Sequence, residues 1–183
     1  MPRLQVLIPP KYDKKLKGPL IFLEGPIRCA PDWQAAAIRF FRSVAKLHAA
    51  EFKKRFSKGL TIASPRRKLE IRGDFTDEKF NQQVDWEIFH RDYAVKHGVI
   101  LVWLPRPIKE IRGRAYAQTS RFEIGEDMAR HRLEGARMVV GIEPGFSGGR
   151  YIRSVFALKA PTVDIVAHPE VAALVAWNML ARK

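Results

Sequence analysis

The residues with the most chemical promise stand in Thr119-Ser120-Arg121-Phe122-Glu123-Ile124-Gly125, behind an apolar run and a polar loop. A helix that starts at Thr119 or Ser120 puts Glu123 in its first turn, where unpaired N–H groups and the positive end of the helix dipole hold an ionised, aimed carboxylate. The same letters spell Ser-x-x-Glu, a capping box whose Glu ties down the helix start. Chemistry and capping therefore compete for one carboxylate.

A second acidic cluster is Asp85-Trp86-Glu87 with His90. Glu87-x-x-His90 has metal-ligand spacing, but a di-metal bundle needs two copies on four helices. The five histidines include no HExxH, and with a single cysteine there is no Cys pair, so no metal and no cofactor are expected. Glu87 stays a candidate as a substrate-contacting or supporting acid. Gly25-Pro26-Ile27-Arg28 closes an apolar run; Gly25 lets backbone approach a ligand, and Arg28 can fork onto a phosphate or carboxylate, the alternative being a tight turn with a solvated Arg. Asp32 and Trp33 reach toward the same place, though Asp32 equally suits an N-cap. Gly145-Phe146-Ser147-Gly148-Gly149 matches G-x-S-x-G, with Asp164 and His168 later in hydrolase order. Glu143-Pro144 separate Ser147 from the strand end, however, and Asp164 falls inside a predicted strand, which favours a Gly-rich supporting loop. Cys29 has no histidine near it in sequence and reads as structural.

These residues need elements to hold them. Pro19–Leu23, Leu60–Ala63, Val99–Leu104, Met138–Ile142 and Thr162–Val166 read as strands. Helices are expected from Pro31-Asp32, with Trp33, Ala36, Ala37, Phe40, Phe41 and Val44 on one face, from Phe80 to Lys96, from Thr119 or Ser120 to Leu133, and from Pro169 to Leu180. Residues 66–79 and 105–118 read as loops. Near-continuous apolar strands separated by helices predict one three-layer α/β domain over residues 18–183. Its core is a flavodoxin- or Rossmann-like parallel five-stranded sheet with helices on both faces, preceded by a basic extension at 1–17. Ligands of such sheets lie beyond the carboxyl ends of the strands where strand order reverses, which makes loops 25–32 and 105–123 the expected walls.

The chain has 183 residues, 46% of them hydrophobic and 28% charged, enough for one buried core and too apolar for disorder. Lone Cys29 excludes an internal disulfide and suits a reducing cytoplasm. No basic start precedes a long apolar run, so neither a signal peptide nor a membrane span is expected. Lys and Arg exceed Asp and Glu by 33 to 19, a net charge of +14. Such an excess attracts phosphate-bearing partners. Its spread over many segments favours small anionic substrates over bulk nucleic acid.

The segments Ile21–Ile27, Pro31–Gln34, Ser64–Arg67, Gln83–Glu87, Ile100–Trp103, Phe122–Gly125 and Val140–Gly145, in that order, resemble the nucleoside 2-deoxyribosyltransferase-like superfamily across roughly residues 18–166. The resemblance implies glycosyl transfer at a nucleoside C1′, with Glu123 as nucleophile and Ser120 as the hydroxyl residue three before it. It also implies that Arg28 lies near a 5′-phosphate, as in the related deoxynucleotide N-hydrolases. An oxocarbenium-like transition state and a glycosyl-enzyme would follow. The transferases proper carry an Asp six residues before the Glu for base recognition and protonation; here that position is Ala117. The proton must then come from Glu87 or Asp92. The expected substrate contacts are Gly25, Pro26, Ile27, Arg28, Asp32, Trp33, Asp92 and Trp103. Base exchange, base hydrolysis and binding without turnover all remain open, and a homo-oligomer is the default expectation.

Overall fold

Runs such as Leu20–Leu23 and Val99–Leu104 have no polar side chain to send to solvent, so they are stable only where both faces of a sheet are covered. The computed structural model, which describes residues 3–67, 76–109, 113 and 115–181, places them there. Strands β2 (Leu20–Glu24), β3 (Leu60–Ala63), β4 (Gly98–Leu104) and β5 (Met138–Ile142) are buried along their whole length. With β1 (Leu4–Leu7) and β6 (Asp164–Val166) they form one parallel sheet in the order β1-β3-β2-β4-β5-β6. The sixth strand is β1, four residues from within the stretch expected to be an extension, and it pairs Leu4↔Leu60 through Leu7↔Ala63.

Helices cover both faces. Helices α1 (Trp33–Leu47), α2 (Ala49–Arg55) and α6 (Pro169–Ala181) lie on one side. There Trp33, Phe41, Phe52 and Trp177 pack on Ile21, Leu23, Val99, Leu101 and Trp103. Helices α3 (Asp77–His97), α4 (Gln118–Glu134) and α5 (Gly149–Lys159) cover the other side. That layer joins Trp86, Ile124, Ile152 and Phe156 to Leu20, Phe22, Ile100, Val102 and Leu104. The split follows from the two-residue period of a strand, which sends alternate side chains to opposite layers. Connections leave β2 toward β3 and leave β4 toward β5, on opposite sides, so the strand order reverses between β2 and β4. In an open parallel sheet that is the ligand crevice.

Two boundaries that matter for the site differ from expectation. Helix α3 begins at Asp77, three residues before Phe80, because Thr76 caps it by accepting from the Lys79 N–H at 3.4 Å. Residues 68–75 of the loop expected at 66–79 lie outside the described residues. Helix α4 begins at Gln118, ahead of Thr119 or Ser120, with Ala117 as its N-cap in the left-handed region at φ 56°. Helix α5 has no counterpart among the expected elements.

Candidate active site

The carboxyl end of β2 supplies the first group. The alternation that turns Leu20 and Phe22 toward α3 and α4 also turns Glu24, the last residue of β2, toward them. Gln83, Glu87 and Arg91 recur every four residues on α3, and Glu123 and Asp127 do the same on α4. That spacing puts each set on one helix face. The two faces meet above Glu24 and, with Glu126, put five carboxyls around one guanidinium.

Arg91 is the hub. Its guanidinium hydrogen-bonds Glu126 and brings Nε to 3.8 Å from Asp127 Oδ1. Burial works against its charge, yet Asp127, Glu24, Glu126 and Glu123 together hold it protonated above the ordinary Arg value. Gln83 organises the wall: its Nε2 donates to Glu87 Oε1 at 2.6 Å and to the Pro65 carbonyl at 2.9 Å, while its Oε1 accepts from Arg67 Nε at 2.8 Å. Burial raises the Glu87 pKa, against the Gln83 hydrogen bond and the Arg91 and Arg67 charges. Burial and the Glu87 charge push Glu123 from 4.5 up to about 7, with Arg91 opposing.

Glu123 is therefore not the first-turn, ionised carboxylate that its sequence motif predicts. Glu123 is the sixth residue of α4, beyond the first turn, which holds no acidic side chain. The capping box does not form. The helix dipole is too weak there to offset desolvation, since its effect fades within one turn, and the carboxyl keeps its proton to higher pH instead of being held ionised.

Glu24 and Asp127 are both fully buried. Counted as ionised groups, they have four oxygens without a donor, because Arg91 Nε at 3.8 Å is too far for a hydrogen bond. Their carboxyls nevertheless act on each other at close range. Two carboxylates only accept, so that approach requires a proton between them. Burial first, then the charge of Asp127, raises Glu24 well above the usual carboxylate range.

The other expected residues divide. Ser120 is buried one turn before Glu123. Gly25 serves the fold: at φ 147° a Cβ there would lie 2.2 Å from the Trp103 carbonyl oxygen. Trp33 is buried and donates from Nε1 to the Pro26 carbonyl at 3.2 Å, pinning the loop. Arg66, which was not among the expected residues, ties that loop down by donating to the Ile27 carbonyl at 3.0 Å. Arg28 stands exposed beside them at the mouth. Asp32 caps α1 through Ala35 N at 3.1 Å and pairs with Arg66 at 3.3 Å. Asp92 pairs with Arg130 at 2.7 Å. Trp103 lies in the opposite layer, packed on Gly141, where a Cβ would come within 2.2 Å of its ring, so it does not face the acids.

His90 stacks on Trp86 with ring centres 4.1 Å apart and has Nδ1 at 2.8 Å from the Trp86 carbonyl. The G-x-S-x-G loop joins the crevice wall through its backbone, with the Ser147 carbonyl accepting from Arg121 at 2.6 Å. Its groove of about 390 Å³ faces α5, with Arg150 and Arg153 on its lining. Asp164 stands in β6 as expected. Glu24, Gln83, Arg91 and Asp127 were missed, although the 83-87-91 and 123-127 spacings and an acid ending an apolar strand are all visible in the sequence. Among known proteins, the chain matches no family model and no curated sequence.

Proposed function

We propose that the protein cleaves or exchanges the N-glycosidic bond of a nucleoside or nucleotide, with Glu123 as nucleophile and Glu87 as proton donor. The observation that carries this is the Glu87–Glu123 pair at the strand-order reversal, two acids from different helices placed so that the charge of Glu87 raises the Glu123 pKa. Mutually repelling carboxyls in a desolvated site titrate as a unit and hold one proton between them over a range of pH. The reactive arrangement has Glu87 protonated and Glu123 ionised. Positive charge developing at C1′ favours that arrangement, because it stabilises the carboxylate nearest the sugar.

Glu123 attacks C1′ as the bond to the base breaks, and Glu87 delivers its proton to the departing base. Water or a second base then attacks the glycosyl ester, with Glu87 taking the proton back from that nucleophile. Asp92 is the weaker donor because its charge is committed to Arg130. Arg28, exposed at the mouth, suits an anionic end of the substrate.

Ala117 supports a second reading, a module that binds nucleotides without turnover, since the base-protonating acid of the similar transferases is missing there. Incubation with deoxynucleosides, deoxynucleotides and free bases separates the two. Turnover predicts released base, or a new nucleoside when an acceptor base is present, and Glu123→Ala should reduce it by 10³-fold or more, on the order expected for loss of a covalent nucleophile. Tight binding with no product in any mixture would support the binding module and end the enzymatic one.

A further inference from the structure

We propose that Glu24 and Asp127 share a single proton, and that this paired unit, carrying one negative charge against Arg91, sets the ionisation of Glu123. Both side chains are fully buried, and none of their four oxygens receives a hydrogen bond among the described residues. A doubly ionised pair would place two charges side by side out of water with one guanidinium 3.8 Å away, an arrangement that neutralises itself by binding a proton. Asp127 stands one helical turn from Glu123 on α4.

The groups facing Glu123 are Glu87 and Arg91 from α3, Glu126 and Asp127 from its own helix, and Glu24 reaching it from β2. Arg91 is the cation among them, and it touches the pair and Glu126. Charge on the pair therefore decides how much of Arg91 is left to favour ionised Glu123. With one proton bound, the pair balances Arg91 and leaves Glu123 to respond mainly to Glu87. Glu24 and Asp127 are positioning residues that act through Arg91 without reaching the substrate. The inference rests on Glu123 being the reacting group, but its test is made on the free protein.

The test is a ¹³C-carboxyl NMR titration of Glu123 in the wild type, Glu24→Gln and Glu24→Gln/Asp127→Asn proteins. In the single variant the Gln amide N–H replaces the shared proton, the pair keeps one charge, and the Glu123 midpoint should stay in place. The double variant removes that charge, frees Arg91, and should lower the midpoint by about one pH unit or more. Difference infrared spectroscopy of the wild type supplies a readout that needs no variant: a neutral-carboxyl band persisting above pH 8 and absent from Glu24→Gln. A drop in the midpoint for Glu24→Gln alone, no change in either variant, or no neutral-carboxyl band in the wild type would each overturn the assignment. Absence of turnover would instead end the enzymatic reading and leave these titrations unchanged.

Discussion

To act as the proposed nucleophile, Glu123 has to be ionised, yet burial and Glu87 hold its proton up to about pH 7. That retention shows in stability as well as reactivity. A carboxyl whose folded pKa is raised stabilises the protein below its ordinary value of 4.5, and the contribution is lost as pH rises through about 7. Glu123→Gln should remove this part of the pH dependence and make the protein more stable than wild type at pH 8 by about 2 kcal/mol, a value discounted for partial exposure. Denaturant unfolding at pH 5 and pH 8 measures it, and an unchanged slope in Glu123→Gln would show that desolvation does not govern this carboxyl. Glu123, Ser120 and Glu87 could be picked out from the sequence because motif and spacing mark them. Glu24 and Asp127 could not be paired that way, since their contact depends on a strand end and a helix face more than a hundred residues apart meeting in space.

At the scale of elements, the start of α4 decides which groups face the crevice. Ala117 sits at φ 56° and ψ 32°, where a Cβ is disfavoured, and no side chain caps the helix there. Left-handed backbone costs a non-glycine residue about 1–2 kcal/mol, partly offset in glycine by its larger unfolded-state entropy. Ala117→Gly should therefore stabilise the protein by about 1 kcal/mol in thermal denaturation, with activity retained; destabilisation would mean the backbone strain is absent. Long apolar runs made β2, β4 and β5 plain in the sequence, and the apolar face of α1 did the same for that helix. Strand β1 was hidden because it is a half-buried edge strand whose short apolar run is interrupted by Gln5, and α5 by a Gly-Gly start that resembles a loop. The start of α4 was misjudged because Thr119 and Ser120 look like caps, whereas the chain turns into the helix at Ala117.

For the whole molecule, charge is distributed on two levels. The chain carries +14 overall, yet the floor of the crevice gathers Glu24, Glu87, Glu123 and Asp127 around Arg91. The outer field draws anions toward a mouth where Arg28 is exposed and Arg66 holds the loop, while the floor favours developing positive charge. Binding of a nucleoside 5′-monophosphate should weaken several-fold as ionic strength rises, while binding of the unphosphorylated nucleoside stays constant; calorimetry at two salt concentrations measures both, and equal salt dependence would remove the phosphate from the account. No helix among the described residues is long and apolar enough to cross a membrane. The parallel sheet and its strand-order reversal were legible because they follow from hydrophobic runs. The acid cluster was not, because it forms only when three elements converge. Covalent participation of Glu123 is read by quenching the intact protein during reaction with a deoxynucleotide, digesting it, and weighing the peptide that contains Glu123 by mass spectrometry. The expected result is a 2-deoxyribosyl 5-phosphate adduct on Glu123 that disappears as product forms; base release with Glu123 never modified would show that Glu123 is not the nucleophile.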